Sequence, residues 1–190
     1  MSKKKRITRN THGRKKPANR KGRGILLKFF GFFALAMAIF YAFYYSPLYE
    51  NYIQSGLLNF QAKLSNILLN ILGQPTSVEG DVIYSDDFRV SIKGGCDGVE
   101  ATALYICAVL VFPLITLRKK LPGLLWGVGI LFVINIFRIS GLYLSGRYWP
   151  EAFDFLHLHG GVVIFTIISI ILWMIWVSRV TRKNEANAEK

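Results

Sequence analysis

The chain has 190 residues, enough for one domain or two small ones, yet 52% of them are apolar and the mean hydropathy is positive, which argues against a water-soluble globule. Of 24 Lys and Arg, twelve fall in residues 1–28, which hold no Asp or Glu, so the formal charge of +13 belongs almost entirely to the N-terminal tail. A basic run punctuated by Gly and Pro suits anionic lipid or a cytoplasmic anchor rather than a nucleic-acid-binding face, and two cysteines without CxxC or zinc-like spacing exclude a disulfide-dense scaffold and give no metal or cofactor signature.

Residues 1–24 have almost no large apolar side chains and are expected to be a disordered, basic cytoplasmic tail. Phe29 to Tyr49 is uncharged for 21 residues, which at 1.5 Å per residue matches a hydrocarbon core of roughly 30 Å. This is the first expected membrane helix, at about 27–47. A cleavable signal peptide is the alternative, but the segment ends in Tyr41, Phe43, Tyr44 and Tyr45 with no small-x-small cleavage pattern.

After Pro47, the residues Ile53, Leu57, Phe60, Leu64, Ile67, Leu68 and Ile71 step by threes and fours among polar side chains. The spacing predicts an extracytoplasmic amphipathic helix, either lying on the membrane surface, which is favoured, or packed over the bundle. Gly73-Gln74-Pro75 ends it. Val78 to Tyr84 and Phe88 to Ile92 then flank Ser85-Asp86-Asp87 as a short β-hairpin.

Gly94-Gly95-Cys96-Asp97-Gly98 leads into a second apolar span at 98–117, closed by Arg118-Lys119-Lys120. Two further spans are expected at 122–145, interrupted only by Arg138, and at 157–178, followed by a cytoplasmic tail at 179–190. The fold class is thus an all-α integral membrane protein of about four transmembrane helices, with a membrane-embedded domain at 25–178. Lys and Arg in the short flanks place both termini and the 118–120 loop in the cytoplasm and residues 46–96 and 146–157 outside, as for a multi-pass protein of the cell inner membrane.

Arg138 is costly inside an apolar span, by roughly 2.5 to 3.5 kcal/mol if central, so a compensating role is favoured over a snorkelling arginine near the outer end. Cys96 sits between glycines where the outer hairpin meets the second span, although a lone cysteine is more often structural. Cys107, eleven residues on and about 16 Å along a helix, fits that structural reading and cannot bridge to Cys96. A histidine at an interface is more often solvated than catalytic. The topology nevertheless brings His157, Cys96 and Arg138 into one outer layer, as a general base and acid, a nucleophile and an oxyanion or carboxylate binder. Glu100, one helical turn after Cys96, is a supporting candidate that either orients His157 or pairs with Arg138, or is simply a solvated rim carboxylate. Asn135, three residues before Arg138, is a second supporting candidate.

The strings Gly95-Cys96-Asp97-Gly98-Val99-Glu100-Ala101, Asn135-Ile136-Phe137-Arg138-Ile139 and Phe153-Asp154-Phe155-Leu156-His157-Leu158 resemble the Cys, Arg and His motifs of the exosortase/archaeosortase family, in its short exosortase H form. The resemblance covers roughly residues 25–178. It implies a membrane cysteine transpeptidase or protease acting on exported proteins whose C-terminal sorting signal combines a motif, a transmembrane helix and a basic end. It also implies that Cys96 is the nucleophile, Arg138 the motif arginine and His157 the histidine. A helix beginning near Phe155 puts His157 and His159 about 200° apart, so only one faces the site, and His157 is the expected one. The competing class is a non-catalytic membrane scaffold or assembly factor in which Arg138 pairs with Glu100 to fix helix packing.

Overall fold

The computed structural model describes residues 20–113, 115–157 and 161–188. Helix α1 (Arg20–Tyr44) begins inside the stretch expected to be disordered, whose first 19 residues lie outside the described ones. It stops before Ser46-Pro47. There the Ser46 hydroxyl caps the short α2 (Pro47–Tyr49), with proline in the first helical position where its missing N–H costs nothing. A π-helical turn (Glu50–Gln54) feeds α3 (Ser55–Ile71).

Helix α3 packs over the bundle. Its buried face is Leu58, Gln61, Ala62, Ser65 and Leu69, which meet α5 and the sheet, while Ile53, Phe60, Ile67 and Ile71 of the expected apolar stripe are exposed on the protein surface. Phe60 still stacks on Phe132 of α5, with ring centroids 5.8 Å apart.

The expected hairpin is a three-stranded antiparallel meander, because the first predicted strand is cut in two. Gly80, with φ +64°, turns β1 (Ser77–Glu79) into β2 (Val82–Tyr84), a conformation that favours glycine. Strand β3 (Arg89–Ser91) pairs with β2, placing Tyr84 opposite Arg89. Ile83 and Ile92 pack into a core with Leu58, Ala62 and Leu69 of α3 and with Ile139, Leu142 and Tyr143 of α5. A hydrogen bond from Tyr143 Oη to Ser85 Oγ (2.8 Å) and an Arg147–Asp87 ion pair (3.3 Å) tie the sheet to α5.

Helix α4 (Val99–Val111) is shorter than the predicted 98–117 span. Pro113 disfavours the helical region for the residue before it, and Phe112 is accordingly extended at ψ 118°. Lys120, expected as a solvated charge of the cytoplasmic loop, is buried, and its Nζ donates to the Leu110 carbonyl at the end of α4. Helix α5 (Leu117–Tyr148) starts a turn before the predicted position, with Pro122 inside it, and runs three residues past its predicted end. Helix α6 (Pro150–Phe155) and a π-turn at Leu156–His157 precede α7 (Gly161–Ala188). Among the described residues the fourth predicted span, expected at 157–178, is thus represented by α7 from Gly161 onward, residues 158–160 lying outside them.

The protein is largely helical, and among the described residues three helices are long and apolar enough to cross a membrane: Arg23–Tyr44, Leu117–Tyr148 and Gly161–Arg182. They correspond to three of the four expected spans, and the remaining one, expected at 98–117, is the shorter apolar helix α4. The 13 residues of α4 rise only about 20 Å, less than a hydrocarbon core of roughly 30 Å. They pack among α1, α5 and α7 around Tyr105, Val109, Leu131, Phe165 and Trp176. With three such helices, the chain is a multi-pass membrane protein.

Candidate active site

Cys96 lies in the tight loop between β3 and α4. Its N–H donates to the Lys93 carbonyl (3.0 Å), and Gly95 (φ +88°) and Gly98 (φ +71°) supply left-handed conformations on either side. Gly98 has a second constraint, since a Cβ there would come within 2.9 Å of both Phe165 and Asn135.

The loop is held from three directions. Arg138 Nη1 of α5 donates to the Cys96 carbonyl at 3.2 Å, and Gln61 Nε2 of α3 donates to the Asp97 carbonyl at 2.9 Å. The Asp97 carboxylate accepts the Val99 N–H at 3.2 Å, capping α4. Gln61 and Asp97 are each 2% exposed, and neither was singled out by the sequence patterns.

On the other side of the loop the Cys96 sulfur, in a residue only 8% exposed, lies 3.3 Å from His157 Nδ1 and 3.9 Å from Arg138 Nη2. His157 is placed by the π-turn after α6, where its ring stacks on Phe153 at 5.3 Å with an interplanar angle of 7°. Cys96, Arg138 and His157, expected in one outer layer, are thus within contact of one sulfur. His159 lies outside the described residues.

Arg138 has a specific seat. Its Nη1 also reaches Asn135 Oδ1 (3.4 Å), its guanidinium lies 5.8 Å from the Phe165 ring centroid, and Nε has no partner among the described residues. A Cβ at Gly161 would fall 2.6 Å from that Nε and 2.8 Å from Nη2, so only glycine can pack against this edge. Arg138 and Gly161 also line an apolar cavity of about 270 Å³ between α5 and α7, with Leu142, Leu156 and Phe165.

The two supporting candidates separate. Asn135 is buried and holds Arg138, whereas Glu100 makes neither an ion pair with Arg138 nor a hydrogen bond to His157 among the described residues; it lines a different cavity beside Gly95. Cys107 lies in α4 against an apolar cavity. No group of three or more His, Cys, Asp or Glu able to hold a metal occurs among the described residues.

Burial pushes the Cys96 thiol above the ordinary range, the Arg138 guanidinium pulls it back, and the neighbouring Asp97 pushes it up again. Burial also raises Asp97 itself, against its hydrogen bond from Val99 N–H. Because Arg138 favours the thiolate, Arg138→Met is expected to move the midpoint of Cys96 alkylation by iodoacetamide to higher pH, in a Cys107→Ala background. An unmoved midpoint would remove Arg138 from the electrostatics of the thiol.

Residues 23–174 match the family of transmembrane exosortases of the EpsH type. The chain belongs to that family. No curated protein and no solved structure gives a match. The region shared with the exosortases includes the Cys96 loop, Arg138 and His157, and it ends within α7.

Proposed function

We propose that this exosortase is a membrane cysteine transpeptidase or protease that cleaves the C-terminal sorting signal of exported proteins through an acyl-enzyme formed at the outer face of the membrane. The observation that carries the reading is the 3.3 Å approach of the Cys96 sulfur to His157 Nδ1 with Arg138 at the same sulfur. A buried thiol is a poor nucleophile until an adjacent base takes its proton and a cation stabilises the thiolate.

In the proposed cycle His157 Nδ1 takes the Cys96 proton, and the thiolate attacks the carbonyl of the scissile peptide. The tetrahedral oxyanion then collapses with breakage of the C–N bond. The imidazolium returns the proton to the leaving amine, and the acyl chain remains as a thioester on Cys96. Water releases it as a carboxylic acid, or an amine as an amide. The planar guanidinium of Arg138, with Nη2 at the sulfur, suits charge-assisted hydrogen bonding to an oxyanion or to a substrate carboxylate. Gln61, Asn135 and Asp97 position the loop and the arginine rather than touching the reacting atoms.

Sidedness follows the basic flanks, with both termini cytoplasmic, α4 as the fourth pass and the Cys96 loop at its outer end. Arg138 stands 21 residues, about 31 Å, from the start of α5 at the 118–120 cluster, which supports a site at the outer boundary. The scaffold reading asked Arg138 to pair with Glu100. The hydrogen bonds of Arg138 go instead to the nucleophile loop and Asn135.

The histidines supply the test. His157→Ala is expected to lower cleavage of a signal-bearing membrane substrate by about 10² to 10⁴-fold, whereas His159→Ala retains a substantial fraction, both read as the yield of the new substrate C-terminus by mass spectrometry. Loss with His159→Ala and retention with His157→Ala would contradict the assignment.

A further inference from the structure

A second cavity lies beside the nucleophile loop and plays no part in the chemistry above. It measures about 410 Å³ and is lined by Tyr44, Tyr49, Glu50, Gln54, Glu100 and the Gly94-Gly95 backbone, one residue before Cys96. Glu50 comes from the π-turn after α2, and Glu100 from the first turn of α4. The two acids thus approach from elements that the fold brings together.

The wall carries two carboxylates and no cation, and neither Glu50 nor Glu100 has an ion pair among the described residues. Tyr49 is only 5% exposed, and its hydroxyl has no hydrogen-bond partner among the described residues. A buried hydroxyl left unpaired is costly, and this one belongs to a residue of the cavity wall. The wider setting has the same sign. Nine of the eleven Asp and Glu lie between Glu50 and Asp154, against five Lys and Arg in that range apart from the 118–120 cluster. Such a surface attracts cations and repels anions.

The ligand that answers this chemistry is a primary ammonium, whose three N–H donors match two carboxylates and one hydroxyl oxygen. We propose that the cavity formed by Glu50, Glu100 and Tyr49 is a binding site for an alkylammonium group placed next to the Cys96 loop. Two sources carry that group: the amine that accepts the acyl chain, and a Lys side chain of the substrate near the scissile bond. Only the choice between these rests on the transpeptidase reading; binding itself requires no turnover. In the acceptor case the ammonium loses one proton to a cavity carboxylate, its nitrogen forms a C–N bond at the thioester carbon and gives its second proton to His157, the C–S bond breaks, and Cys96 leaves as thiolate.

The direct test is photolabelling of the full chain in detergent or vesicles with a diazirine-bearing butylammonium, alongside the matching neutral alcohol. The ammonium probe is expected to label peptides spanning residues 44–54 and 94–100 saturably, with competition by butylammonium chloride and not by butanol. Labelling is expected to fall about tenfold or more in Glu50→Gln/Glu100→Gln. Tyr49→Phe, which keeps the ring on Tyr44 and removes only the unpaired hydroxyl, is expected to lower labelling severalfold without lowering thermal stability.

With active protein, an acceptor amine predicts that the double variant makes less amide product relative to acid. A substrate side chain predicts a higher KM only for substrates with Lys near the scissile bond. Equal labelling by the ammonium and neutral probes, or labelling unchanged in both the double variant and Tyr49→Phe, would overturn the site whether or not the protein proves to be a transpeptidase.

Discussion

Cys96→Ala is expected to lower processing of a signal-bearing membrane substrate by more than about 10³-fold, the scale set by removing a covalent nucleophile, while Cys107→Ala is expected to leave most of it. The contrast follows from surroundings, since both cysteines are free and both are 8% exposed. Cys96 has an imidazole nitrogen at 3.3 Å, a guanidinium at 3.9 Å and glycines that let a substrate backbone come close. Cys107 lines a cavity with Phe40, Val128 and Phe132 whose wall holds no imidazole and no guanidinium. Comparable accumulation of the two variants in the membrane, measured beside processing, separates chemistry from folding. Equal tolerance of both substitutions would favour a scaffold.

Arg138→Lys is expected to cost about 10² to 10³-fold in processing, close to the loss of an oxyanion donor, while the protein still accumulates. Lysine keeps the charge and loses the fork. In the native site one guanidinium holds the Cys96 carbonyl, Asn135 Oδ1 and the sulfur at once, and still presents an unpaired Nε. A single ammonium cannot reach these points together. The midpoint of Cys96 alkylation should therefore move less in Arg138→Lys than in Arg138→Met, because the charge survives, although processing is lost in both. Full processing by Arg138→Lys would reduce Arg138 to a packing or snorkelling residue.

The three site residues were legible because each broke a local pattern: a charge in an apolar span, a thiol between glycines, a histidine at the mouth of a helix. Such anomalies are visible without knowing the fold. Gln61 was not legible, because in sequence it belongs to the polar side of an amphipathic helix; only the packing of α3 on α5 turns that side inward and gives Gln61 the Asp97 carbonyl to hold. Asp97 sat unremarked inside the motif for the same reason, its role being a cap on α4 and not a charge in solvent.

The spans were legible by hydropathy, and their ends were not. Pro113 shortens α4, and Lys120, counted as a loop charge, turns back to hold the α4 terminus. His157 was expected on the same helix as Gly161 and Phe165. It lies in the turn after α6, and Gly161 and Phe165 of α7 lie against Arg138.

The most direct measurement is peptide mass spectrometry of Cys96 during turnover, with the protein co-expressed with a membrane substrate carrying a sorting signal and quenched in acid. The proposed chemistry predicts a hydroxylamine-labile adduct on the Cys96 peptide, whose mass equals the substrate segment upstream of the cut, present with native protein and absent with Cys96→Ala. A processed substrate with no adduct on Cys96, and equal processing by Cys96→Ala, would contradict it.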